Sequence, residues 1–135
     1  MWLLKTEPGE YSYEDLERDG KTTWDGVTNP VAVRNLRAMK PGDEVVVYHT
    51  GSERAAVGLA EVTRAARPDP KRADERLVVV DIAPRKRLSR PVTLGEIKSL
   101  PAFRDSPLVR EGRLSVVPLT GEQWKGLMER AQARG

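Results

Sequence analysis

Cysteine is missing from this 135-residue chain, and histidine occurs once, at position 49. The first absence excludes disulfides and thiolate metal sites, and a lone imidazole cannot supply the cluster a catalytic zinc requires. No metal and no other cofactor is expected. Long apolar runs are missing too. The longest, such as Val45–Tyr48 and Leu77–Val80, fall far below the roughly 18 residues that span a bilayer. Met1–Thr6 has its lysine after the apolar residues and no extended apolar stretch, so it does not read as a signal peptide, and a cytoplasmic location is expected. Catalytic signatures are equally scarce. None of Lys5, Glu7, Asp25, Asp43, His49 or the serines sits in a G-x-S-x-G, H-E-x-x-H or P-loop setting.

What is present describes a water-soluble globule. Apolar residues make up 39% and charged residues 32%, with a mean hydropathy of −0.54, and the length suits one domain over residues 1–135, expected to be a monomer. The net charge of +3 is unevenly spread. Residues 1–63 carry seven basic against eleven acidic side chains, residues 64–90 nine against four, and residues 91–135 seven against five. The basic middle segment, with Arg64, Arg67, Lys71, Arg72, Arg85, Lys86 and Arg87, suits either a polyanion or a solvated face.

Local signals set out the elements. Trp2-Leu3-Leu4 starts a strand that stops at Glu7-Pro8-Gly9. Ser12 and Asp15 form a capping box for a short helix over Tyr13–Arg18, closed by Gly20. After the β-prone Thr22-Thr23-Trp24 and the turn Asp25-Gly26, Asn29-Pro30 opens a helix to about Met39, with Val33, Leu36 and Met39 on one face. Three strands, Glu44–Thr50, Ala56–Thr63 and Arg76–Ala83, are expected to pair antiparallel, with Pro68–Asp74 as an open loop. Thr93 and Glu96 cap a further short helix, and Pro101 and Pro107 make the next stretch irregular. Arg113–Val117 reads as a last strand, and Thr120 with Gln123 opens a C-terminal helix. The predicted fold is α+β, a small, mostly antiparallel β-barrel flanked by short helices.

Among the chemistry-bearing groups, His49 at a strand end reads as structural, and Glu7 and Asp25 stand at strand-to-turn junctions where carboxylates accept from backbone amides. An enzyme is not expected. A second pattern is more informative. Lys5, Thr6, Glu7, Trp24, Asp25, Asn29, Arg34 and Asn35 gather donors, acceptors and one large ring into two segments, the parts from which a pocket for an unpaired base is made. The alternative remains open: Trp24 as core, Asn29 as a cap, and Arg34 and Arg37 as a solvated helix face. Trp2 and Trp124 are assigned to packing.

The strings Trp2–Pro8, Trp24–Val27, Asn29, Arg34–Arg37, Met39-Lys40, Gly42-Asp43, Tyr48-His49-Thr50, Gly58–Val62, Arg90–Leu94, Arg113–Val116 and Trp124 resemble, in order and over the whole chain, an EVE domain of the PUA-like superfamily. The resemblance implies a non-catalytic reader that holds a flipped, modified base beside a small barrel, a modified cytosine in DNA first and a modified RNA base next. The alternative is a sensor of small molecules or free modified nucleotides using the same cleft. By that resemblance Lys5, Thr6 and Glu7 form one wall, and Trp24, Asp25, Gly26, Val27 and Asn29 supply the stacking ring and its loop. Arg34 and Asn35 reach in from the helix, and Tyr48, His49 and Thr50 close the far side. The basic residues of 64–90 would then touch phosphates. Thr6, Thr28, Pro30 and Val31 depart from the family's usual Ser, Arg, aromatic residue and Gln, and the Pro68–Glu75 loop is shorter than in relatives.

Overall fold

Helix starts in this protein are set by side chains that satisfy amides left unpaired in a first turn. In the computed structural model, which describes residues 1–132, Ser12 accepts from the Asp15 amide at 3.1 Å and Asp15 accepts from the Ser12 amide at 2.9 Å. This opens α1 (Tyr13–Asp19), and Gly20 closes it in the left-handed conformation at φ 74°. Asn29 accepts from the Val31 and Ala32 amides at 2.9 and 3.1 Å, so α2 (Pro30–Ala38) starts where the sequence places it. The Thr93–Glu96 box precedes α3 (Leu94–Lys98). Thr120 and Gln123 exchange the same reciprocal bonds ahead of α5 (Gly121–Gln132). The stretch expected to be irregular instead holds a 3-10 turn, Pro101–Phe103, and a one-turn α4 (Pro107–Arg110). In both, proline occupies the first turn, where its missing amide costs nothing.

The strands are β1 (Trp2–Thr6), β2 (Thr22–Trp24), β3 (Glu44–His49), β4 (Ala55–Pro68), β5 (Val78–Thr93) and β6 (Val116–Pro118), in the order β2-β5-β4-β3-β1-β6. The β3-β4-β5 run is antiparallel, as expected. Two features correct the barrel expectation. The sheet is a curled, open half-barrel with β2 and β6 as edges, and it is mixed, because β1 runs parallel to β3 with Trp2 opposite Val45 and Thr6 opposite His49. A parallel pair needs a long crossover, here supplied by α1, β2 and α2, so no local signal announces it.

β5 also runs far beyond the expected Arg76–Ala83, through Pro84 and Pro91. Pro84 lies opposite Ala60 where the register with β4 shifts, and Pro91 lies between the Gly58–Arg87 and Ala56–Val92 pairs, where it shifts again. Such bulges are where a strand tolerates a residue without an amide donor. The last strand is short and displaced from Arg113–Val117 to Val116–Pro118.

The core joins the sheet to the helices. Leu36, Met39 and Val33 of the α2 segment are buried, as are Leu127 and Ala131 of α5, with Trp124 and Met128 half-buried against them. Trp2 is half-buried as well, and its indole Nε1 donates to Asp43 at 3.0 Å. Tyr13 is fully buried. Its ring lies over Gly58 so closely that a Cβ there would stand 2.3 Å from it, and its hydroxyl donates to the Leu59 carbonyl at 2.7 Å. Among the described residues, no helix is long and apolar enough to cross a membrane.

Candidate functional site

Strand pairing gathers residues from distant parts of the sequence into one cleft of about 760 Å³. β1 delivers Lys5 and Thr6 and leads into Glu7; β2 delivers Thr23 and Trp24 and leads into Asp25, Gly26 and Val27. Because Trp24 pairs with Val80 and Arg67 with Val79, the end of β4 and its following loop bring Arg67, Asp69 and Lys71 to the same opening.

Both open readings of Trp24 describe part of its placement. Its ring belongs to the core, with 8% of its surface exposed, and it also lines the cleft. Tyr11, another lining residue, packs edge-to-face against it at 6.3 Å between centroids and 86° between planes. Such aromatic pairs fix one another's orientation.

The polar wall is mostly self-satisfied. Thr23 and Arg67 both donate to Asp81 Oδ1, at 2.8 and 2.9 Å. Burial pushes the Asp81 carboxyl up, but the hydrogen bonds from Thr23 and Arg67 and the guanidinium charge outweigh it and hold the group below the usual carboxylate range. Lys5 donates to the Gly112 carbonyl at 2.9 Å, its ammonium stands 5.8 Å from the centre of the Tyr48 ring, and burial lowers its pKa. Thr6 donates to the Tyr11 carbonyl at 2.7 Å, and Glu7 accepts from the Gly9 amide at 3.0 Å. Asp69 is buried, with 7% exposed, and accepts from the Lys71 amide at 2.9 Å.

Lys5, Thr6, Glu7, Trp24, Asp25, Gly26, Val27, Arg67 and Lys71 thus stand together around the cleft. Six other expected site residues are not among those that line it, and each has another engagement or position. Asn29 caps α2, and Asn35 donates to the Val116 carbonyl at 2.8 Å. Arg34 is exposed on α2. Tyr48 is buried under Lys5, and the Thr50 amide donates to the Thr6 carbonyl at 2.9 Å. His49 Nε2 accepts from the Tyr13 amide at 2.9 Å, and Nδ1 lies 2.7 Å from Glu53. This assigns the ring proton to Nδ1 and ties β3 to the start of α1.

The basic segment divides. Arg67 and Lys71 line the cleft and Arg72 is exposed beside them in sequence, as is Arg64 on β4. Arg85 pairs with Glu61 at 3.4 Å, and Arg87 pairs with Glu17 and covers the Tyr13 ring, with exposed Lys86 between them. Among the lining residues, sequence reasoning missed eight, Glu10, Tyr11, Thr23, Asp69 and Ser115 among them. Only Asp69 left a trace, as a carboxylate held between Pro68 and Pro70. Among the described residues no group of three or more His, Cys, Asp or Glu could hold a metal ion.

Comparison with known proteins gives this geometry a setting. The model of the EVE domain matches residues 1–130. Human thymocyte nuclear protein 1 is 30% identical over 157 aligned positions, spanning 91% of this chain and 70% of that protein. A Rhodopseudomonas palustris protein solved by NMR superposes with a TM-score of 0.90 at 39% identity, covering 96% of this chain and 91% of its own. Human thymocyte nuclear protein 1 in complex with 5-methylcytosine-containing DNA superposes with a TM-score of 0.92 at 28% identity, covering 99% and 98%. With the family model matching nearly the whole chain, the PUA-like fold in common and these relatives alongside, the chain belongs to the EVE domain family.

Proposed function

We propose that the cleft holds one base extruded from nucleic acid, a modified cytosine in DNA first and a modified RNA base second, and that it reads this base without chemical turnover. The observation that carries the reading is the joining of an aromatic pair, Trp24 and Tyr11, to a wall of fixed hydrogen-bonding groups in one open cleft. An extruded base requires both a ring against which to pack and polar groups that meet its edge. The complex of the human relative with 5-methylcytosine DNA supports the choice of base. His49 is held between Tyr13 and Glu53 and does not line the cleft, which supports recognition over acid–base catalysis. Phosphates on either side of the base would meet Lys71 and Arg72, whereas Arg85 and Arg87 are engaged by Glu61 and Glu17. Lys5, Thr6, Glu7 and the Asp25–Val27 turn form the rim around that base.

Fluorescence anisotropy with short oligonucleotides carrying one 5-methylcytosine or one cytosine tests the reading. Preference for the modified strand, with affinity falling as salt rises, is the expected result. Equal affinity for both strands would refute base reading. Competition by the free nucleoside as effective as by the oligonucleotide, without salt dependence, would instead make the protein a sensor of free nucleosides.

A further inference from the structure

Four carboxylates line the cleft: Glu7, Glu10, Asp25 and Asp69. Three are exposed and therefore solvated. Asp69 alone is buried, with 7% of its surface exposed, and among the described residues it has no ion-pair partner. Its Oδ1 accepts one neutral donor, the Lys71 amide at 2.9 Å, and no donor among the described residues reaches Oδ2. The contrast with Asp81 is informative, since that buried carboxylate is served by both the Thr23 hydroxyl and the Arg67 guanidinium. A carboxylate with a single amide donor keeps acceptor capacity for another. The cleft is the side from which a ligand can supply one.

The backbone fixes this acceptor in place. The Asp69 amide donates to the Leu77 carbonyl at 3.0 Å, and the Asp69 carbonyl accepts from the Arg72 amide at 3.1 Å. The position of the acceptor is therefore set before binding, which favours discrimination between bases.

We propose that Asp69 is the specificity-determining residue of the cleft, accepting a hydrogen bond from the exocyclic amino group of a cytosine-type base. This assignment rests on the base-reading function proposed above. A 4-amino pyrimidine donates to the carboxylate. A 4-keto pyrimidine such as thymine turns a lone pair toward it and leaves it unpaired. Thymine and 5-methylcytosine share the 5-methyl group, so the pair isolates the amino group's hydrogen bond.

The test uses single-stranded oligonucleotides identical except for one 5-methylcytosine or one thymine, with binding measured by anisotropy. The unaltered protein should favour 5-methylcytosine by about tenfold, the effect of one hydrogen bond to a charged group. Asp69→Asn keeps a carbonyl oxygen for the Lys71 amide and adds donors for the keto oxygen. The preference should fall by about tenfold, toward equality or reversal. If the variant does not fold by circular dichroism, the unaltered protein is tested with N4,N4-dimethylcytosine, which has no amino hydrogen and should bind about tenfold more weakly than 5-methylcytosine. An unchanged preference in Asp69→Asn, or full binding of the dimethyl base, overturns the assignment while leaving base reading intact. If neither oligonucleotide binds the unaltered protein, base reading fails and the assignment falls with it.

Discussion

At the scale of single residues, Trp24 has a packing role and a proposed binding role that a substitution affects separately. Its ring is buried in the core and reaches the cleft with a small part of its surface. Trp24→Ala is expected to cost about 3–5 kcal/mol of stability, as for other buried aromatic side chains, measured by urea denaturation. The folded fraction should also bind a 5-methylcytosine oligonucleotide about tenfold or more weakly, the usual effect of removing a stacking ring. Full binding by the folded variant would leave Trp24 as core only. Asp81 yields a pH prediction. Its folded pKa is depressed, so its stabilising contribution is present above the unfolded value of about 3.9 and is lost as pH falls through the folded value. Asp81→Asn should therefore be destabilised by about 2 kcal/mol near neutrality, with the gap in melting temperature narrowing as the pH falls below about 4. A gap independent of pH would remove the ionised carboxylate from the explanation. Lys5–Glu7 and Trp24–Val27 are legible in sequence because each is a local run of polar or aromatic residues at a turn. Asp69 and Tyr11 are not, since their places in the cleft are decided by the packing of separate segments.

At the scale of elements, capping is the most legible feature, because a cap and its partner amide lie within three residues of each other. Ser12, Asn29, Thr93 and Thr120 all begin helices where their spacing indicates. Strand ends are less legible: a proline within a β-prone run reads as a stop, and only the register shifts against β4, where the extra residues fall in β5, show why β5 continues past Pro84 and Pro91. The packing of α1 on β4 is similarly hidden. Gly58 follows Val57 in a β-prone run, yet the Tyr13 ring occupies the place of its missing side chain. Gly58→Ala is expected to destabilise the protein by about 1–3 kcal/mol through overpacking, seen as a lower melting temperature. Wild-type stability in that variant would mean that the ring moves aside freely.

At the scale of the whole molecule, the formal charge of +3 says less than its distribution. The basic run of residues 64–90 is one segment in sequence but two groups in space, one at the cleft and one neutralised in part by Glu61 and Glu17. Removing Lys71 and Arg72 together should lower the slope of log affinity against log salt by about 1.4, or about 0.7 for each phosphate of a single strand that is no longer neutralised. Removing Arg85 and Arg87 should leave that slope unchanged. A titration across salt concentrations with both double variants decides between the groups, and equal decreases would place phosphate over the entire segment.

β1 lies inside the sheet, with Trp2 opposite Val45 on one side and opposite Pro118 on the other. Its pairing with β6 closes a loop of more than a hundred residues, the kind of pairing that forms late because its entropy must be given up before its hydrogen bonds are made. Lys5 and Thr6 ride on that strand and Ser115 stands just before β6. The cleft is therefore complete only once the two ends of the sequence have met. On a ribosome it would wait for the last strand to emerge, and in refolding its binding capacity should return with the slowest phase, after most of the helical signal.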